Sequence, residues 1–210
     1  MEKLKKKIIA EIDPGSPVAE AFRLIRANLK FVSVDKPFKS VLITSSSPME
    51  GKSETTANLG VVMAQAGVRV IIADCDLRMA EQHTIFGLGN DKGITDYLTG
   101  EANLNQLVNK TRTPNLSVVT AGKLPPNPSE LLQSEKAREL LGRLMEMCDV
   151  LLIDSPPLLI RADAVVLSSM ADGALMILRT GKTKIEAVQK AKDRLEKTGA
   201  RILGVVMNDG

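Results

Sequence analysis

The segment Val41-Leu42-Ile43-Thr44-Ser45-Ser46-Ser47-Pro48-Met49-Glu50-Gly51-Lys52-Ser53 constrains the fold more than any other part of the chain. A short run of aliphatic residues enters a loop of small residues. The loop ends in Gly51-Lys52-Ser53, and a helical pattern follows over 51–66. A strand that turns through such a loop into a helix aims successive backbone N–H groups at one spot, and the positive end of the helix dipole joins them there. Such a turn binds phosphate. In the pattern G-x-x-x-x-G-K-[ST] the lysine reaches the β- and γ-phosphates, and the hydroxyl after it holds Mg2+. Here those residues are Lys52 and Ser53, with Ser46 standing where the pattern has its first glycine. Ser47, Pro48, Met49, Glu50, Gly51 and Glu54 complete the expected cofactor-binding turn.

The rest of the chain repeats the strand-then-helix alternation. Apolar runs predict strands over 40–44, 68–74, 116–120, 150–154, 174–179 and 202–207. Several are nearly continuous rather than alternating, as a parallel strand covered on both faces requires. Longer helices are expected over 51–66, 134–147 and 183–199. The last carries Ile185, Val188, Ala191 and Leu195 on one face and stops at Gly199. Short helices are expected over 94–99 and 103–109. The fold class that follows is α/β: a doubly wound, mostly parallel central sheet flanked by helices, as one domain over 1–210 with a basic N-terminal segment over 1–15.

Two of the apolar runs end in acids. Val70-Ile71-Ile72-Ala73 leads into Asp74-Cys75-Asp76-Leu77-Arg78, and Val150-Leu151-Leu152-Ile153 leads into Asp154-Ser155-Pro156-Pro157. Open α/β sheets bind ligands beyond the carboxyl ends of their strands, so these carboxylates are expected beside the glycine-rich turn. Asp154 reads as the acid that holds Mg2+ through a bound water. Asp74 and Asp76 add negative charge near the metal and the attacking oxygen. Because Mg2+ keeps several waters, one or two carboxylates plus phosphate oxygens suffice. Each aspartate taken alone also suits a helix cap or turn, and for Asp76 that bland reading stays open.

Composition removes several classes. Aromatic residues make up 2% of the 210 residues and the net charge is +3, which argues against a nucleic-acid partner. The two cysteines, Cys75 and Cys148, sit in apolar surroundings and read as small buried hydrophobes, in keeping with a reducing cytoplasm. No apolar stretch approaches the roughly 18 residues of a membrane span, and no signal peptide is visible. Lys3, Lys5, Lys6 and Lys7 form a basic cluster suited to an anionic membrane surface, although a solvated segment is the favoured reading. No G-x-G-x-x-G follows the first strand, which excludes a dinucleotide-type dehydrogenase. His83, the one histidine, is expected to cap or pack a helix rather than to do acid-base work.

Four stretches together resemble the cytoplasmic kinase domain of the bacterial tyrosine kinases (BY-kinases) of capsule and exopolysaccharide synthesis. The segment from Ser16 to Leu29 looks like that family's E-x-x-R-x-x-R helix, with Glu20, Arg23 and Arg26. The turn matches its Ser-x-Pro-x-Glu-Gly-Lys-Ser form. Asp74-Cys75-Asp76-Leu77-Arg78 matches its Asp-x-Asp-x-Arg element, and Ile153-Asp154-Ser155-Pro156-Pro157 is followed by Asp163-Ala164. The resemblance covers the chain from about residue 14 to its end. It implies an ATP- and Mg2+-dependent protein-tyrosine kinase. Lys52, Asp74, Asp76 and Asp154 would be its catalytic residues, with Asp74 as general base. Ser53, Asp76 and Asp154 would order the metal, and Asn208 would contact adenine. Glu20, Arg23 and Arg26 would form a subunit contact in a ring. The implied partners are a membrane-bound activator, or chain-length regulator, of polysaccharide export and protein tyrosine substrates. The implied location is cytoplasmic, peripheral at the inner face of the membrane through that partner.

Departures from the family pattern matter. Met49 replaces a common glycine, at a cost if the loop needs positive φ there. Glu54 replaces a small residue; it suits the helix dipole but lies close to bound phosphate. The family's tyrosine-rich C-terminal tail has no counterpart after Asn208. Tyr97, the one tyrosine, is expected to be a half-buried packing residue, so tail autophosphorylation is not expected. Two alternatives follow. One is a P-loop ATPase of the partition or division-site class, whose signature lysine at the loop's second position is here Ser47. The other is a catalytically impaired regulatory scaffold.

Overall fold

A computed structural model describes residues 8–209 of the chain. The lysine cluster at residues 3–7 lies outside the described residues. Seven strands form one sheet: β1 (Ser40–Ser45), β2 (Val70–Asp74), β3 (Val108–Lys110), β4 (Leu116–Val119), β5 (Val150–Asp154), β6 (Gly173–Arg179) and β7 (Ile202–Asn208). Their order is β3-β4-β2-β5-β1-β6-β7, and every neighbouring pair is parallel except β3 with β4. β1, β2 and β5 are buried at every position. That explains why their sequences are unbroken apolar runs: alternate side chains enter two different cores, and neither face meets water.

Nine helices cover the two faces: α1 (Ile9–Ile12), α2 (Pro17–Asp35), α3 (Lys52–Gln65), α4 (Gln82–Phe86), α5 (Ile94–Thr99), α6 (Pro128–Gln133), α7 (Glu135–Met147), α8 (Asp163–Ser168) and α9 (Ile185–Lys197), counted among the described residues. On one face Leu42, Ile71, Leu151 and Ile153 pack with Leu132, Leu140, Leu144, Leu167 and Leu195 of α6 to α9. On the other, Val41, Ile43, Ile72 and Leu152 pack with Leu29 of α2 and Leu59 and Val62 of α3. The sandwich expected from the sequence is the fold observed. α3 is buried on nearly all sides from Lys52 to Ala64, because α1 and α2 cover what the sheet does not. A helix so enclosed needs no polar face.

The departures have local causes. β2 begins at Val70 rather than two residues earlier. Arg69 leaves the ladder for Asp149, whose carboxylate accepts from its backbone N–H at 2.9 Å and its guanidinium at 2.6 Å. The helix expected over 103–109 is instead a 3-10 turn (Leu104–Gln106) followed by β3, which pairs with Ser117–Val119 of β4. In α9, Ala191 and Leu195 are buried, but Ile185, the first residue of the helix, is 73% exposed. Tyr97 is buried in the core, with the Lys136 ammonium 5.3 Å from its ring centre.

The arrangement positions a site. β1 lies between β5 and β6. In the parallel registers Asp154 sits beside both Ile43 of β1 and Asp74 of β2. Three strand tips, carrying the glycine-rich turn and both acidic ends, therefore meet at one edge of the sheet.

Candidate active site

The turn between β1 and α3 has the backbone that phosphate binding requires. Gly51 caps α3 in the left-handed region at φ 87°. A Cβ there would stand 2.1 Å from Asn208 Nδ2, so only glycine fits. The first helical bond is Thr55 N–H to Gly51 O at 2.9 Å. The amides of Lys52, Ser53 and Glu54 are therefore first-turn N–H groups that look out of the helix's open end. Met49 also has positive φ, at 60°, and its side chain is 82% exposed. Its side chain thus points away from the turn, but the backbone is in a region that costs about 1–2 kcal/mol outside glycine. Met49→Gly is expected to raise stability by up to about 1 kcal/mol, part of the gain being offset by the extra freedom of glycine in the unfolded chain. Urea denaturation reads the difference.

Glu50 does something the sequence did not announce. It is buried, and its carboxylate turns back into the loop. It accepts from Ser47 N–H at 2.9 Å, from the Ser46 hydroxyl at 3.2 Å and from the Thr183 hydroxyl. Ser46, at the place of the missing glycine, is thus a strut beneath the turn. Asn208 Nδ2 donates to Glu50 O at 3.1 Å, and Arg179 Nη1 approaches Met49 O at 3.4 Å. The tips of β6 and β7 and the turn before α9 therefore brace the loop from one side. Asn208, expected to contact adenine, here binds the turn itself.

The carboxylates gather on the other side. Asp154 is fully buried, and the positive charge of Lys52 and the Ser53 hydroxyl favour its charged form. Burial outweighs both, together with a hydrogen bond from Gln82, and pushes its pKa up to about 6. Asp74 is buried beside it, and its pKa lies well above the carboxylate range, chiefly through burial and then through the Asp154 charge. Its Oδ2 accepts from the N–H groups of Glu81 and Gln82 at 3.1 and 3.0 Å. Asp76 is raised by burial and held back by Lys52, and its Oδ1 accepts from Met79 N–H at 3.1 Å. The turn-former reading of Asp76 thus holds alongside its place near the lysine. Cys75 lies among these acids, but burial first and the acids next push its thiol well up, which makes it an inert packing residue.

Asp74 Oδ1 and Asp154 Oδ1 are buried without a hydrogen-bond partner. Carboxyl oxygens left bare beside a phosphate-binding turn fit Mg2+, whose charge would favour their ionised form. Among the described residues no group of three His, Cys, Asp or Glu forms a closed metal cage. A metal held largely by phosphate and water needs none.

Three further placements bear on function. Arg78 lies 3.6 Å from Asp163 Oδ2, and Asp163 also accepts from the Ser129 hydroxyl, which ties the strand end after β2 to α6 and α8. His83 shares a 3.1 Å contact with Thr84 in α4 and takes no place among the acids. Glu20 and Arg23 pair at 2.7 Å on the exposed side of α2, and Arg26 donates to Val62 O of α3 at 2.7 Å. Arg26 thus anchors α2 to α3, while Glu20 faces solvent. Sequence reasoning missed Gln82, Thr183 and Arg179, whose roles depend on contacts across the chain.

Comparison with known proteins places the chain in a family. A family model described as an AAA domain matches residues 49–202. The tyrosine-protein kinase YwqD of Bacillus subtilis is 42% identical over 206 residues, covering 98% of this chain and 87% of its own. The chimerical protein CapA2B2 superposes with a TM-score of 0.93 at 36% identity, over 100% of this chain and 92% of that one. The kinase domain of the Escherichia coli tyrosine kinase ETK superposes at 0.92 and 32%, over 96% and 79%. A septum site-determining protein MinD from Pyrococcus horikoshii, complexed with Mg-ADP, is more distant at 0.70 and 25%, over 81% and 70%. A chain that matches a tyrosine-protein kinase across nearly its whole length, and folds as such kinase domains do, belongs to the bacterial tyrosine-protein kinases, a branch of the P-loop nucleotide-binding proteins.

Proposed function

We propose that the protein transfers the γ-phosphoryl group of Mg-ATP to tyrosine hydroxyls of proteins that serve capsule or exopolysaccharide synthesis. The observation that carries this reading is the meeting of Lys52, Ser53 and Asp154 at one sheet edge, with Asp154 Oδ1 left without a partner. The phenol oxygen forms the new bond to phosphorus, the bond from that phosphorus to the β–γ bridging oxygen breaks, and ADP leaves. Such a transfer asks the protein for position and charge compensation more than for covalent chemistry.

The residues divide those tasks. The amides of the Gly51–Ser53 turn bind the β-phosphate, and Lys52 offsets the charge of the transferred group. Asp74 Oδ1, the oxygen without an internal partner, takes the phenol proton, and burial has already raised its proton affinity. Ser53, Asp76 and Asp154 would hold Mg2+, which when bound neutralises phosphate charge. Asn208, next to the turn, borders the base end of the nucleotide.

Association follows from α2. Glu20 stands exposed with Leu24, Phe31 and Val34, with Arg23 half-buried beside it, and head-to-tail contact through this helix would build a ring. No helix among the described residues is long and apolar enough to cross a membrane. A membrane-bound activator of polysaccharide export, as the resemblance to capsule kinases implies, would supply a peripheral location at the inner face.

The test is incubation with Mg-ATP and a tyrosine-rich acceptor, with and without the cytoplasmic segment of such an activator. Phosphotyrosine that increases with the activator is expected. No phosphotyrosine on any acceptor under either condition contradicts the reading.

A further inference from the structure

Gln82 is fully buried in the first turn of α4, between the acidic ends of β2 and β5 and the start of α3. Its Nε2 donates to Asp154 Oδ2 at 2.7 Å and to Ser53 O at 3.0 Å. Its backbone N–H, with that of Glu81, holds Asp74 Oδ2. One residue thus touches β2, β5 and α3. The chemistry fixes which way the amide faces, since only an NH2 group serves two acceptors at once. Its Oε1 is buried and has no partner. A buried amide oxygen is rarely left bare without a reason.

We infer that Gln82 is a positioning residue for the metal site: it fixes Asp154 against the start of α3 so that Asp154 Oδ1 faces the cation, and its own Oε1 receives a metal-bound water. The inference rests on the proposed role of Asp154 at Mg2+. The physical logic is that of outer-sphere partners, which orient the groups that bind a metal and share its waters. Mg2+ keeps several waters, so acceptors one layer out are part of its site. Two observations support the assignment independently. The hydrogen bonds occupy one oxygen of each aspartate and leave the other bare. The amide also fixes the distance between β5 and the residue whose hydroxyl the turn presents.

The test is Mn2+ titration at fixed ADP, followed by the electron paramagnetic resonance of the free ion. Wild type is compared with Gln82→Leu, and ADP affinity in EDTA is measured in parallel. The expected result is a rise of about 10- to 100-fold in the Mn2+ concentration needed for half-saturation, the range met when outer-sphere partners of metals are removed. ADP affinity in EDTA stays at the wild-type value. If Gln82→Leu does not fold, Gln82→Asn carries the comparison, because it keeps the amide but is one methylene too short to span the gap. An unchanged Mn2+ midpoint in a folded variant overturns the inference. Equal loss of ADP affinity with and without metal also overturns it, since a merely structural residue would act that way. A wild-type protein whose ADP affinity ignores Mn2+ contradicts instead the site on which the inference rests.

Discussion

Lys52→Met is expected to cut phosphotyrosine formation by on the order of 100- to 1000-fold, the loss typical when one charge-stabilising group is removed from a transfer site. Lys52 is 7% exposed, and its charge acts on Asp154 and Asp76. A cation placed this deep acts on a transferring phosphoryl group through a medium that screens poorly. Methionine fills similar space and removes only the charge. The same change leaves two buried carboxylates less compensated, so the metal-free variant is expected to be less stable than wild type at neutral pH. An anti-phosphotyrosine assay and thermal melting in EDTA read the two effects. Wild-type phosphorylation by a folded Lys52→Met protein would remove the lysine from the chemistry.

Asp154→Asn is expected to act in opposite directions on stability and on metal-dependent binding. The carboxyl group holds its proton more tightly in the folded protein, with a pKa near 6, than in the unfolded chain, where it is ordinary at 3.8. Its favourable contribution is therefore complete below about pH 4 and is lost as pH rises through about 6. At pH 7.5 the metal-free wild type carries a burden of roughly 3 kcal/mol from this shift, and the neutral isostere does not. The metal-free variant should melt roughly 5–10 °C higher at that pH. The gap should close as the pH is lowered from 6 to 4. At the same time the variant should lose the gain in ADP affinity that Mg2+ gives wild type. A variant less stable than wild type at pH 7.5 in EDTA would show that the buried charge is better compensated than its surroundings indicate.

Much of this site could be read from the sequence because it depends on local pattern. Continuous apolar runs such as Val150-Leu151-Leu152-Ile153 specify strands covered on both faces, and an acid at the end of such a run must emerge at the ligand edge. The same reasoning placed Asp74 and Asp154 together, and their cross-strand register is what it requires. Met49 was also legible as a point of conflict, and its positive φ is the conflict realised. What escaped depends on tertiary contact. Gln82 sits in a short polar stretch with no apolar period to mark it, and its bonds to Asp154 and Ser53 O join segments far apart in the chain. Glu50 looks like one more loop residue, yet Thr183, 133 positions away, makes it a strut. β3 is three residues long and has no period to detect. The spacing of Glu20, Arg23 and Arg26 suggests one shared face, but Arg26 turns to Val62 O, a bond that depends on where α3 packs.

The most direct test of the account is a crystal of the protein grown with ADP and Mn2+, with the metal located by its anomalous scattering. The account predicts one strong peak beside the β-phosphate, within direct reach of the Ser53 hydroxyl and one water removed from Asp154, with the phosphate enclosed by the amides of Gly51, Lys52 and Ser53. A metal bound elsewhere, or a nucleotide whose phosphates lie outside that turn, would contradict it.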